Sequence, residues 1–151
     1  MRLECSRSYA CVSSIPLAMT RIGAGEPLLL IHPLGADRSV WDPVLGNLSV
    51  DHDCVAVDMP GFGDSPELPV DVRATPTAIA ASAVATLDAL GLDSAHIAGI
   101  SLGGWVALEL GKTGRARSVQ QSAPPASGAA HSDRAATPSA AQPARCRRYC
   151  R

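Results

Sequence analysis

Three short apolar runs constrain this chain most: Leu28–His32 (LLLIH), Cys54–Asp58 (CVAVD) and Ala95–Ile100 (AHIAGI). The first two are continuously apolar up to their last residue, which predicts strands covered on both faces. Helical patterns lie between the runs. Trp41–Leu48 predicts a short helix with Asp42-Pro43 near its start. Pro76–Leu90 sets Ile79, Ala83, Val84, Leu87 and Leu90 on one helical face, with Thr75 as cap and Gly91 as stop. Leu102–Leu110 is apolar nearly all round, which predicts burial on most sides. Ile15–Ile22, with Pro16 at its start, predicts an edge strand. Strands alternating with helices predict an α/β fold: a mostly parallel sheet with helices on both faces. No internal repeat is visible.

The third run leads straight into the last helix through Gly99-Ile100-Ser101-Leu102-Gly103. The string G-x-S-x-G is weak alone, but a strand before it and a helix after it make a nucleophile elbow. Ser101 then sits on a sharp strand-to-helix turn at the carboxyl end of the sheet. Gly99 and Gly103 let the two backbones approach without a Cβ between them. The helix N-terminus aims free N–H groups at the same spot, favouring negative charge there, and Leu102 N–H is the first candidate oxyanion donor.

Two further loops follow strand ends. In His32-Pro33-Leu34-Gly35, Pro33 has no N–H, so Leu34 is the candidate second oxyanion donor, with Gly35 giving room and His32 bracing the loop. In Asp58-Met59-Pro60-Gly61-Phe62-Gly63-Asp64-Ser65, the glycines do not form a dinucleotide fingerprint: Pro66 holds the third glycine position and no helix opens directly behind. This loop reads as a turn at the rim of a cleft, braced by Asp58.

Together LLLIHPLG, VAVDMPGFGDS and IAGISLGGWVALEL, in this order and spacing, resemble the first half of the α/β-hydrolase fold across about Ile15–Val119. The resemblance implies a serine hydrolase acting on small ester-like or related acyl substrates, with Ser101 as nucleophile and Leu34 and Leu102 as oxyanion donors. It implies no cofactor and no metal. The family's usual His-Gly-x-Gly loop has Pro33 in place of its first glycine here. Relatives with an aspartate nucleophile, such as epoxide hydrolases and haloalkane dehalogenases, are disfavoured by Ser101.

A serine needs a base, itself oriented by an acid, and in this fold both follow the nucleophile in the chain. Downstream of Ser101 the one histidine is His131, with Asp133 beside it. The two stand in reversed order within an Ala/Pro/Ser/Arg-rich segment and read as solvated tail residues. That segment, residues 120–151, contains no Val, Leu, Ile, Met or Phe, which predicts disorder. Residues 14–119 form the patterned unit and residues 1–13 an irregular N-terminus. After Val119 no apolar run supplies the next strand. This predicts a change of reading frame or a truncation there, a chain inactive alone, and Ala95–Ile100 as a bare sheet edge prone to self-association. Two other readings stay open: a non-catalytic remnant or binding module, and a half-domain completed by a partner chain.

Composition excludes little else. Net charge is −1, and residues 120–151 carry +4 of it against −5 elsewhere. Nothing suggests nucleic acid or an anionic membrane as partner, and the expected partner is a small-molecule substrate. No apolar run approaches the ~18 residues of a membrane span, and Arg2 and Arg7 are followed by no signal-peptide core. Five cysteines, an odd number without framework spacing, predict reduced thiols and a cytoplasmic setting. Cys146 and Cys150 have no neighbouring Cys/His pair to make a zinc site.

Overall fold

The computed structural model describes residues 15–122. Five strands form one sheet: β1 (Met19–Ile22), β2 (Glu26–Ile31), β3 (His52–Val57), β4 (Ala95–Ile100) and β5 (Ala116–Ser122), in spatial order β1-β3-β2-β4-β5. Only β1 runs antiparallel to its neighbour. Three α-helices connect them: α1 (Asp42–Leu48), α2 (Pro76–Ala89) and α3 (Leu102–Lys112).

The continuous apolar runs follow from the two-residue period of a strand. In β2, Leu29 and Ile31 join one cluster with Val55, Val57, Ile97, Leu87, Val106 and Leu110. Leu30, between them, points the other way, to Cys54, Ala56 and Leu45 of α1. The sheet is thus covered by α2 and α3 on one face and by α1 on the other. The parallel register pairs Leu30 with Ala56 on one side and with Ala98 on the other. Helix α2 begins where Thr75 accepts from the Ala78 N–H at 3.2 Å, ahead of Pro76. It ends where Gly91 turns at φ 67° and the Leu92 N–H returns to the Leu87 carbonyl at 2.9 Å.

Several expectations are corrected. The strand expected over Ile15–Ile22 is confined to Met19–Ile22. The preceding backbone is held by side chains instead: Leu17 N–H donates to Thr86 Oγ1 and Ala18 N–H to Ser65 Oγ, each at 2.8 Å. The short helix expected over Trp41–Leu48 is α1, Asp42–Leu48, with a 3₁₀ turn, Arg38–Trp41, added ahead of it. Most consequentially, β4 is not a bare edge. Ala116–Ser122 lies parallel beside it, past the boundary placed at Val119. The strand lacks an apolar run because most of its residues are exposed: only Ala116 and Val119 pack against the apolar cluster, and Gln121 lies over Gly104 of α3. Helix α3 is buried on most sides, as expected, except along one stripe where Trp105 is 59% and Leu108 46% exposed. The tail expected over residues 120–151 lies outside the described residues from 123 onward, as do residues 1–14.

Candidate active site

The chain's sharpest irregularity lies where β4 becomes α3. Ser101 has φ 53° and ψ −116°, and among the described residues it is the one non-glycine with positive φ. Such a conformation costs on the order of 1–3 kcal/mol and persists only when its surroundings over-determine it. Here they do. The Ser101 N–H donates to the Ser122 carbonyl of β5 at 3.0 Å, and its carbonyl accepts from the Trp105 N–H at 3.1 Å, opening α3. The serine makes no side-chain cap bond to that helix, so its hydroxyl is not spent on the helix end.

The glycines explain how the turn closes. An ideal Cβ on Gly99 would lie 2.2 Å from the Gly103 carbonyl oxygen. One on Gly103 would lie 2.3 Å from the Ile31 and 2.6 Å from the His32 carbonyl oxygens. The first turn of α3 therefore rests directly on the end of β2, where the His32–Gly35 loop begins. Gly104 adds a third close approach, 2.5 Å from the Gln121 side chain.

His32 is fully buried. The Met59 N–H donates to its Nε2 at 2.9 Å, and its Nδ1 lies 2.8 Å from the Pro33 carbonyl oxygen. Phe62 packs edge-on, ring centroids 5.5 Å apart. The Ala36 N–H also reaches the Pro33 carbonyl, at 3.2 Å, closing a turn around Leu34 and Gly35. Gly35 has φ 80°, as the third residue of a type II turn requires. Leu34 is 67% exposed.

The Asp58 loop is cross-linked to the same region by a residue the sequence did not single out. Asp58 is fully buried and accepts from the Arg38 N–H at 2.7 Å, from Arg38 Nη1, and from the Asp64 N–H at 2.9 Å. Arg38 Nη2 also pairs with Asp64 at 2.6 Å. The Asp64 carboxylate, with Asp58 behind it, raises the Arg38 guanidinium further above its ordinary range. Gly63, at φ 52°, leaves no room for a Cβ against the Asp58 carboxylate. Arg38 lies twenty residues from Asp58 in the chain, and no local pattern advertises the pair. A polar recess of about 360 Å³ opens beside Arg38, lined also by Thr20, Asp42 and Asp64; Ser101, Leu34 and Leu102 are not among its walls.

The other described histidines are elsewhere. His52 and His96 stand at the starts of β3 and β4, the far end of the sheet from Ser101. His96 is engaged with Glu26 at 2.9 Å and Ser118 at 2.7 Å. His131 and Asp133 lie outside the described residues. Among the described residues no group of three or more His, Cys, Asp or Glu side chains could hold a metal ion, and no helix is long and apolar enough to cross a membrane.

A strand, a strained serine and a helix packed through glycines onto the neighbouring strand match a known arrangement. The family model described as alpha/beta hydrolase fold matches residues 26–115. The chain belongs to the alpha/beta hydrolase fold family. This hydrolase-fold chain is 36% identical over 104 residues to the dihydrolipoyllysine-residue acetyltransferase component of an acetoin cleaving system from Cupriavidus necator, covering 68% of this chain and 27% of that one. It is 40% identical over 88 residues to a pimeloyl-[acyl-carrier protein] methyl ester esterase from Neisseria meningitidis, covering 58% and 26%. A thermophilic esterase structure from Thermogutta terrifontis superposes with a TM-score of 0.62 at 31% identity, covering 66% of this chain and 37% of the other. The chain thus spans about a quarter of the length of these two curated relatives. Hydrolases and esterases of this fold recur among its relatives.

Proposed function

We propose that Ser101 is the nucleophile of a serine hydrolase for small ester-like or related acyl substrates. The observation that carries this reading is the strained backbone of Ser101 at the strand-to-helix junction, φ 53°. Nothing in packing needs a serine there, and a glycine would adopt the turn without strain. The hydroxyl oxygen attacks the substrate carbonyl, and its proton passes to a base. The oxygen of the tetrahedral adduct takes up negative charge and is received by the N–H groups of Leu34 and Leu102. The C–O bond to the leaving group breaks, and water later hydrolyses the acyl-serine. The names of the esterase relatives support an ester-like substrate.

The described histidines are committed elsewhere, so the base and its acid come from outside the described residues. The described part then accepts an acyl or phosphonyl group without turning it over. That observation also favours the second reading, a half-domain completed by another polypeptide. Among the described strands the sheet edges are β5 and β1, so association through an edge would use one of them and not the covered β4. The buried, free thiol of Cys54 supports a reducing, cytoplasmic setting.

The test is a fluorophosphonate probe on the full chain and on Ser101→Ala, read by peptide mass spectrometry. A single slow modification at Ser101, absent from the variant, is expected, because the oxyanion hole and binding together retain roughly 10³–10⁴-fold over water when a triad member is lacking. Modification spread over several serines, or unaffected by the substitution, overturns the nucleophile. Sustained turnover of a nitrophenyl ester by the pure chain overturns the reading of the chain as inactive alone.

A further inference from the structure

The peptide unit that carries the Leu34 N–H is pinned by its other end. Met59 N–H can only donate, so the His32 Nε2 that it meets at 2.9 Å is an acceptor without a proton. The imidazole proton therefore sits on Nδ1, and the 2.8 Å contact is a hydrogen bond donated to the Pro33 carbonyl oxygen. That oxygen accepts a second bond from the Ala36 N–H at 3.2 Å. The Pro33–Leu34 amide is planar and trans, as are the other described peptide bonds. Its carbonyl and its N–H therefore point in opposite directions. Turning the Leu34 N–H means swinging the Pro33 oxygen away from both donors.

We propose that His32 is the positioning residue of the oxyanion hole: by holding the Pro33 carbonyl, it fixes the direction of the Leu34 N–H. This rests on the reading of Leu34 as a donor. The ring is itself held in place. It is fully buried, Phe62 packs on it in an edge-on arrangement, and the Met59 amide selects its tautomer. Among the described residues the Leu34 N–H has no acceptor, whereas Pro33 has no N–H to offer. The loop is anchored at its base because Gly103 rests on the His32 carbonyl. A donor aimed before the reaction needs no reorganisation as charge develops, which is what makes such donors effective.

Two isosteric variants separate positioning from bracing. His32→Asn places an amide nitrogen near the Nδ1 position and keeps the donor to Pro33, losing the acceptor for Met59. His32→Gln places an amide oxygen near the Nε2 position and keeps that acceptor, losing the donor to Pro33. Phosphonylation of Ser101 in the full chain is measured as a probe affinity and a first-order rate. The Gln variant is expected to lose about 10²-fold in rate, the effect of one oxyanion donor, with affinity little changed. The Asn variant should lose much less, even where its thermal midpoint falls further. Equal losses in both, or losses that follow the thermal midpoints, overturn the proposal. In the unaltered chain, imidazole ¹⁵N shifts must show a protonated Nδ1 and a bare Nε2; the opposite tautomer overturns it whether or not either variant folds. Absence of phosphonylation in the unaltered chain defeats the nucleophile reading instead, and the ¹⁵N tautomer still decides the hold on Pro33.

Discussion

The Ser101 amide donates to the Ser122 carbonyl at 3.0 Å, so the elbow is bonded to β5 as well as to β4 and α3. The bond fixes the backbone just where a side chain makes φ 53° unfavourable. Ser101→Gly should relieve about 1–3 kcal/mol of strain, offset by about 0.5–1 kcal/mol of added unfolded-state freedom. Ser101→Ala retains the strain. The glycine variant is therefore expected to be more stable than the alanine variant by about 1 kcal/mol, read from urea midpoints.

Gly99→Ala and Gly103→Ala each force a Cβ to within 2.3 Å of a backbone carbonyl oxygen, which cannot swing aside as a side chain would. Each should cost about 3 kcal/mol or more, the upper end of overpacking. Gly46 in α1 is the matched control, because a Cβ there meets nothing within 4 Å. Gly46→Ala should stabilise by about 0.5–1 kcal/mol through helix propensity. Thermal unfolding of the three variants checks the opposite signs.

Thr86 is buried, donating to the Ser82 carbonyl at 2.9 Å and accepting from the Leu17 N–H at 2.8 Å. Thr86→Val keeps the shape and strands the buried Leu17 N–H, at a cost of about 1–3 kcal/mol. Thr86→Ser keeps the hydroxyl and should lose less. Hydrogen exchange at Leu17 reports the bond directly, with faster exchange expected in the valine variant alone.

Glu26 links three strands through His96 at 2.9 Å and Arg117 at 3.3 Å. The hydrogen bond from His96 and then its charge, with Arg117 adding, hold the Glu26 carboxyl below its ordinary value of 4.5. A folded-state pKa below the unfolded one contributes stability that is fully present above the unfolded value and lost as pH falls through the folded one. Unfolding midpoints measured downward from pH 6 should therefore fall less steeply below about pH 4.5 in Glu26→Gln than in the unaltered chain. The exposed position keeps the difference small.

What the sequence disclosed follows from where burial writes a pattern. β4 runs from Ala95 to Ile100 as read, because it lies between two other strands and under α3. Two of the hydrolase-fold loops were legible for a related reason: Gly99 and Gly103 of the elbow and Gly63 of the Asp58 loop stand where a Cβ would strike backbone or a buried carboxylate, whereas Gly35 marks its loop by φ 80° alone. β5 was not legible. A strand with largely exposed faces does not need Val, Ile or Leu, and Gln121 covers Gly104 with its aliphatic stem. The Arg38–Asp58 clamp and the Met59 bond to His32 were invisible because they join segments distant in sequence. Only the fold brings them together.

The sheet's two coats are of unequal weight. On one side α2 and α3 lock over a broad apolar layer, while on the other seven-residue α1 shelters little more than Leu30, Cys54 and Ala56. A partial opening should peel away α1 first and leave the serine's side of the molecule standing. Burial pushes the Cys54 thiol up and keeps it inert while that flap is shut. The sulfur is thus a built-in gauge of how far the molecule has begun to come apart.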